Sequence, residues 1–346
     1  MTTTTNVPSK KERLFWRSMV EEYQTPSKWK SVWQLINSVI PFFLLWGLMV
    51  LSLNYNYWLT LLLALPAAGF VIRIFIIQHD CGHGSFFKSR KANDRVGSFC
   101  GVFTLVPYHY WRRHHAIHHA NSGNLDNRGI GDVYTMTVDE YLNEPAWKRW
   151  GYRIYRNPFF LFTIAPTFLF VVLYRFYHPF HSKRWKKERA SVLWTNIAIL
   201  SIAIVASLLV GFKEFLLVQV PITIIASTLG TWMFYLQHQY EEAYWEYTGN
   251  WEYTRAALQG SSFYKLPKVL QWFTGNIGFH HIHHLSPRIP NYNLQKCHKE
   301  NPELQEVVVL TLTSSLKTAN LGLWDEKQQK LVSFGYLKTM PEQSLG

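Results

Sequence analysis

Cysteine is scarce in this chain: Cys81, Cys100 and Cys297 are its only three. They form no CxxC pair and no even disulfide framework, which excludes a thiolate zinc ribbon and a disulfide-stapled secreted domain. Reduced thiols with cytosolic exposure are the expectation, and each cysteine reads as a packing residue. Acidic residues are also few, 22 against 35 Lys and Arg, for a formal net charge of +13. The excess does not point to nucleic acid, because the basic residues lie beside apolar blocks rather than along an aromatic-studded polar face. That is the pattern of a membrane orientation signal and of attraction to anionic lipid. Low-complexity sequence is absent, as is any internal repeat beyond a pair of hairpins. Met1 to Ser31 is polar and mixed in charge, without the apolar core or cleavage site expected of a signal peptide. Ionisable residues are nearly missing from the apolar blocks, where Arg73 stands alone and close to an end. A transport pathway would need more of them inside.

What the chain has in quantity is long apolar sequence. Four runs approach the ~20 residues that cross a bilayer as helix. Ile36 to Leu53 and Trp58 to Ile77, joined by Asn54-Tyr55-Asn56-Tyr57, form one candidate hairpin. Val192 to Val210 and Phe215 to Leu236, joined by Gly211-Phe212-Lys213-Glu214, form the other. Trp and Tyr flank the runs, as side chains anchored at headgroup level do. A soluble helical protein with a very apolar core is the competing account, but paired runs this long are rare in soluble folds.

The sequence therefore predicts an all-α integral membrane protein: two transmembrane hairpins (four main spans), interfacial helices and a cytosolic histidine-rich cap. Its expected parts are a cytosolic N-terminal segment (1–35), hairpin 1 (36–77), a cytosolic and interfacial region (78–191), hairpin 2 (192–236) and the cap (237–346). Lys28 and Lys30 before the first run, and Lys88, Arg90, Lys91 and Arg95 after the second, mark the cytosolic side. Arg73 is expected to snorkel towards that interface. Val96 to Val106, eleven residues, is too short to span and should dip into or lie on the interface. Phe159 to Tyr177, interrupted by Pro158 and Pro166 and closed by Arg175, is expected to be interfacial or half inserted; the alternative is a crossing paired with Val96 to Val106.

Histidine is concentrated in three places. Trp111-Arg112-Arg113-His114-His115-Ala116-Ile117-His118-His119 carries four imidazoles. On a helix His115, His118 and His119 emerge on one face at i, i+3, i+4. His79-Asp80-Cys81-Gly82-His83 lies upstream and His280-His281-Ile282-His283-His284 downstream. A lone H-x-x-x-H is weak evidence, but three clusters at predicted cytosolic membrane edges read as one metal site. With His79, His83, His115, His118, His119, His280, His283 and His284 there are eight candidate ligands, too many for a four-coordinate zinc and suited to two ions. His238, just past the last apolar run, is a ninth. His114 and His281 are extra members, in supporting or exposed positions, and His109, His178, His181 and His298 read as surface or interfacial residues. Asp80, Asp132, Glu241 and Glu242 are carboxylates that would offset charge or orient ligand N–H groups. Trp111 and Tyr235 are expected to line a channel or pack. Short β-like runs at Val307 to Leu312 and Leu331 to Phe334 are expected to cover the histidine face.

Redox-silent zinc would suit hydrolysis, which needs an open water site and a carboxylate base. Iron can reduce dioxygen and so attack an unactivated C–H bond. At a membrane surface, lipid acyl chains would be the substrate at hand.

The boxes themselves carry a likeness. H-x-x-x-H, H-x-x-H-H and H-x-x-H-H, with an apolar hairpin between the second and third, resemble those of the membrane fatty-acid desaturases. So do His79-Asp80-Cys81-Gly82-His83-Gly84-Ser85-Phe86-Phe87, Phe234-Tyr235-Leu236-Gln237-His238-Gln239-Tyr240-Glu241 and Gly275-Asn276-Ile277-Gly278-Phe279-His280-His281-Ile282-His283-His284-Leu285-Ser286-Pro287. The resemblance runs from about Ser31 to Phe334 and is to bacterial acyl-lipid desaturases of the cold-induced Δ5 type. It implies two non-haem iron ions, O2 as oxidant and two electrons from an acidic carrier, ferredoxin or flavodoxin. It also implies saturated acyl chains of membrane phospholipids as substrate, at the cytosolic side of the plasma membrane, and no nucleic acid. Position by position, the implied ligands are His79, His83, His115, His118, His119, His238, His280, His283 and His284. In structurally known animal relatives an asparagine one turn before the extra histidine holds a water on the second iron. Here that position is Phe234, and Asn276, four residues before His280, is the candidate substitute; His114, His281 and Asp80 are the other candidates for supporting roles. A hydroxylase, or a desaturase with Δ9 or Δ12 regiospecificity, is the alternative on the same scaffold.

Overall fold

The computed structural model describes residues 10–177 and 184–340, so His178 and His181 lie outside the described residues. Helices dominate. α1 (Lys10–Glu21) precedes α2 (Lys28–Ser52) and α3 (Tyr57–His83), the first hairpin. α4 (Arg90–Phe103), α5 (Tyr108–Asn121), α6 (Val138–Asn143), α7 (Ala146–Tyr155) and α8 (Ala165–Val171) lead to the second hairpin, α9 (Lys186–Val210) and α10 (Phe212–His238). α11 (Tyr253–Gln259), α12 (Lys268–Phe273), α13 (His280–Leu285), α14 (Asn291–Glu300) and α15 (Leu312–Thr318) follow.

Four helices, α2, α3, α9 and α10, are long and apolar enough to cross a membrane, as the apolar runs predict. More than half of the most apolar stretch of α3 is buried, whereas the others present most of theirs outward. α3 is therefore the central span. Asn56 starts it by accepting the Trp58 N–H at 2.8 Å, and Gly84, left-handed at φ 73°, ends it. α3 and α10 each have 27 residues, ~40 Å of helix against ~30 Å of hydrocarbon. Both overrun their apolar sequence, because a helical hydrogen-bond ladder does not stop where lipid does. The overhanging C-terminal turns carry His79, His83 and His238.

Three local expectations need correcting. Arg73 does not snorkel: α3 continues to His83, so the side chain is buried, donates to the Trp272 carbonyl and lies over the Trp272 ring at 3.9 Å. Trp272 is in the last turn of α12, where its carbonyl also accepts the Gly275 N–H at 3.1 Å and the negative end of the helix dipole favours a cation. Val96 to Val106 does not span, as expected, but its bounds shift: residues 96–103 are the second half of α4 and 104–106 the turn after it. Ser89 caps α4 by accepting the Ala92 N–H, and the helix packs against α3 and α9. Its glycines permit the fit: a Cβ on Gly101 would sit 2.5 Å from the Val106 carbonyl oxygen, and one on Gly97 2.3 Å from the Tyr108 ring. The Gly211-to-Glu214 turn shrinks to Gly211 alone, at φ 101°, with α10 starting at Phe212.

The Phe159-to-Tyr177 block forms no straight span. Residues 160–175 are bent by 60° from α7. Pro166 has no N–H for the Phe162 carbonyl, and the ladder widens to a π-helical turn over Phe160–Ile164 before α8.

Strands are short. β1 (Met136–Thr137), β2 (Phe263–Tyr264), β3 (Val309–Leu310), β4 (Leu321–Asp325) and β5 (Lys330–Ser333) form a three-stranded sheet, β1-β4-β5, and a β2-β3 pair. β3 lies within the first β-like run and β5 overlaps the second, but β4 has no counterpart among them. β4 pairs parallel with β1 (Met136 with Leu323) and antiparallel with β5, closing a small core of Val138, Tyr141, Tyr152, Leu323 and Leu337. The larger core joins Ile76 of α3, Met233 and Leu236 of α10, Ile277 and Ile282. It fixes the ends of α3 and α10 against α13.

Candidate metal centre

Four helices deliver nine histidines to one volume. α3 presents His79 and His83 on successive turns, α5 presents His115, His118 and His119, α13 presents His280, His283 and His284, and α10 ends on His238. They divide into two groups, each of which could hold a metal ion. His79, His83, His115, His119 and His283 form one, and His118, His238, His280 and His284 the other, with ligand nitrogens within 4.8 Å of one another in each. The division has a local cause. Neighbouring residues on a helix point ~100° apart, so His118 faces away from the ion that His119 faces. α5 gives two rings to the first group and one to the second; α13 does the reverse.

The contacts have the spacing of ligands. Nε2 of His115 is 3.0 Å from Nε2 of His83 and 3.1 Å from that of His119, which is 3.0 Å from Nε2 of His283. In the second group His238 Nε2 is 2.9 Å from His280 Nε2. An imidazole nitrogen bears one proton or one lone pair, so a chain of such contacts makes a poor hydrogen-bond network. Around an ion with metal–nitrogen bonds of ~2.1 Å, ligands at right angles sit about 3.0 Å apart. Nε2 of His118 and of His284 are buried without a hydrogen-bond partner, so the donor set fits two metal ions.

The opposite ring nitrogens are held from behind. His79 Nδ1 is 3.2 Å from Asp80 Oδ1, and Asp80 Oδ2 accepts from the Asn291 backbone N–H at 2.7 Å and from its side-chain amide at 2.8 Å. Asp80 thereby also caps the N-terminus of α14. His118 Nδ1 contacts Asp132 Oδ1, and His238 Nδ1 donates to the Gly260 carbonyl at 3.0 Å. Such partners fix the tautomer and turn Nε2 inward. Burial first, and then the crowding of other imidazoles, holds His115, His119, His280, His283 and His284 well below the usual histidine range. These rings are neutral and keep their lone pairs for a metal.

The remaining candidates lie elsewhere. His114 Nδ1 is 3.0 Å from the Tyr110 carbonyl, beside a cavity. His281 turns its Nε2 to the Leu304 carbonyl at 2.9 Å, and burial pushes its pKa down to about 3. Asn276 is a left-handed turn residue, φ 58°, whose Oδ1 accepts from Gln271 at 2.9 Å. Glu241 pairs with Lys330 at the surface and Glu242 is exposed. Trp111 stacks on His115 with ring centroids 4.5 Å apart, and the buried Tyr235 donates to the Thr318 and Leu321 carbonyls. Asn291 and Gly260 escaped the sequence reading. A backbone carbonyl carries no sequence signal; Asn291 offered only its place after Pro290 at a helix start.

A cavity of about 560 Å³ opens beside the histidines. His79, His115, His280 and Asp132 line one end, and mostly apolar side chains of α3, α8 and α10 line the rest.

Residues 55–313 match the sequence model of the fatty acid desaturase family, and the chain belongs to that family. It is a membrane protein and an oxidoreductase. It is 47% identical over 324 residues to the fatty acid desaturase of Bacillus subtilis (strain 168), covering 93% of this chain and 91% of that protein. Identity to the chloroplastic omega-3 fatty acid desaturase of Brassica napus is 30% over 284 residues, 77% of this chain and 66% of the relative. The chloroplastic sn-2 acyl-lipid omega-3 desaturase (ferredoxin) of Arabidopsis thaliana is also 30% identical over 284 residues, 77% of this chain and 60% of the relative.

Proposed function

We propose that this chain is an acyl-lipid desaturase that places a cis double bond, at Δ5, in saturated acyl chains of membrane phospholipids. The observation that carries this is the apolar cavity of about 560 Å³ that meets members of both histidine groups, His79 and His115 of one and His280 of the other. His79, His83, His115, His119 and His283 would hold one iron and His118, His238, His280 and His284 the other. The pair would supply the reduction of O2 that drives removal of hydrogen. In the balance, an acyl chain loses two hydrogens from neighbouring carbons, and O2 takes these with two electrons and two protons to leave as two waters. Asp132, Asp80 and the Gly260 carbonyl orient the rings. The apolar walls exclude bulk water and hold the chain against the histidines.

Substrate class and electron source follow from chemistry and kinship. The cavity walls suit a hydrocarbon, and one relative named above is an acyl-lipid desaturase that uses ferredoxin. The excess of basic residues suits an acidic ferredoxin or flavodoxin, an association that salt weakens. Lys28 and Lys30 at the start of α2, and Lys186, Lys187 and Arg189 at the start of α9, stand at the helix ends nearest the histidine-bearing ends of α3 and α10. The positive-inside rule then favours a cytosolic active site in the plasma membrane. The Δ5 position rests on the likeness of the boxes to that type.

Expression in a host lacking desaturases, with gas chromatography–mass spectrometry of its lipids, tests the proposal. A monounsaturated product with its double bond at carbon five is expected. A hydroxylated chain, or unchanged fatty acids with iron and reductant supplied, would overturn it.

A further inference from the structure

One face of α10 lines the cavity from end to end. Gln219, Thr223, Ala226, Gly230, Phe234 and Gln237 all border it, a helical stripe of ~27 Å at 1.5 Å per residue. Two of these residues break the apolar pattern.

Gln219 is the α10 residue bordering the cavity that lies furthest along the helix from His238. Its Oε1 accepts from the Trp46 indole N–H of α2 at 3.3 Å, and its Nε2 donates to the Thr223 hydroxyl at 3.2 Å. Inside a bilayer an amide is costly unless paired, and here both of its ends are. A hydrocarbon chain reaching further would separate that pair and leave the amide unsatisfied. Gly230 is the opposite case. A Cβ built there meets no atom within 4 Å, although the residue borders the cavity. Glycine inside a helix is unfavourable, and here what its missing side chain leaves is open lumen.

We propose that Gln219, tied to Trp46 and Thr223, is the floor that stops the methyl end of the acyl chain, and that Gly230 keeps the passage to it open. Together they set the chain length that this enzyme accepts. This rests on the acyl-lipid desaturase reading. The ester and its headgroup stay at the histidine end, because a phosphate drawn to Gln219 would lose its water.

The two residues predict opposite shifts. Wild type, Gln219→Ala and Gly230→Leu are expressed in the desaturase-free host with an equal mixture of saturated fatty acids from myristic to arachidic. The chain-length distribution of each variant's own unsaturated products is then read. Gln219→Ala should favour longer chains and Gly230→Leu shorter ones, by about fourfold per carbon, the equivalent of ~0.8 kcal/mol per buried methylene. Gly230→Ala, a smaller filler, should shift the distribution in the Gly230→Leu direction if the leucine variant does not accumulate. A second readout needs no turnover: purified proteins are melted with each free fatty acid, and the longest chain that stabilises should lengthen for Gln219→Ala. Distributions and melting profiles that match wild type overturn the inference. A wild type that makes no double bond counts instead against the desaturase reading.

Discussion

His238 Nε2 lies 2.9 Å from His280 Nε2, although one residue ends a membrane-crossing helix and the other opens a helix of the cap. That contact is what places the second histidine group at the end of α10 rather than in the cap alone. His238→Ala should therefore remove one metal ion and leave the other. The expected result is iron falling from about two to about one per chain, with a loss of activity beyond the 10–100-fold typical of supporting groups. Metal analysis of the purified protein checks it. His281→Gln should keep both ions, since His281 faces the Leu304 carbonyl.

Asp132 supports His118 from behind, and its second carboxylate oxygen is buried without a partner. Asp132→Ala should cost 10–100-fold in metal affinity or activity. Chelator competition, monitored by iron release, should show one of two ions leaving early, and Asp132→Asn should fall between this variant and wild type.

Arg73 holds α12 to α3 through the Trp272 carbonyl and ring. Arg73→Ala should lower stability by about 1.5–3 kcal/mol, the range for a hydrogen bond to a charged group. Thermal unfolding in detergent measures it. Arg73→Lys should recover only part, because an ammonium lacks the planar face that stacks on indole.

Burial pushes the thiols of Cys100 and Cys297 up to about 12, with Glu22 and Glu300 adding to the effect at Cys297. The thiolate is the reactive form. A maleimide at pH 8 should leave both unlabelled in the native protein, and mass spectrometry should find all three cysteines labelled after denaturation.

Much of this is legible in the amino-acid sequence. Charge-free apolar runs such as Ile36 to Leu53 announce spans because bilayer thickness sets their length. The histidine boxes announce themselves because i, i+3 and i+4 spacing needs only one helix. Arg73 shows where such reasoning fails. Its distance from the end of an apolar run suggested an interface, but α3 continues for ten more residues and α12 supplies the partner. β4 escaped because Leu321–Asp325 takes its place between β5, next to it in sequence, and β1, far away in sequence.

The amino-acid order by itself determined that this protein crosses a membrane, is helical and gathers imidazoles at one edge, because hydropathy and helical period act within a few turns. Only the tertiary structure decided which imidazole joins which group, parting His118 from His119 and His283 from His284. The reason is geometric. Adjacent side chains diverge by ~100° on a helix, and the ion each one faces depends on how α5 and α13, more than 150 residues apart, pack across α3 and α10.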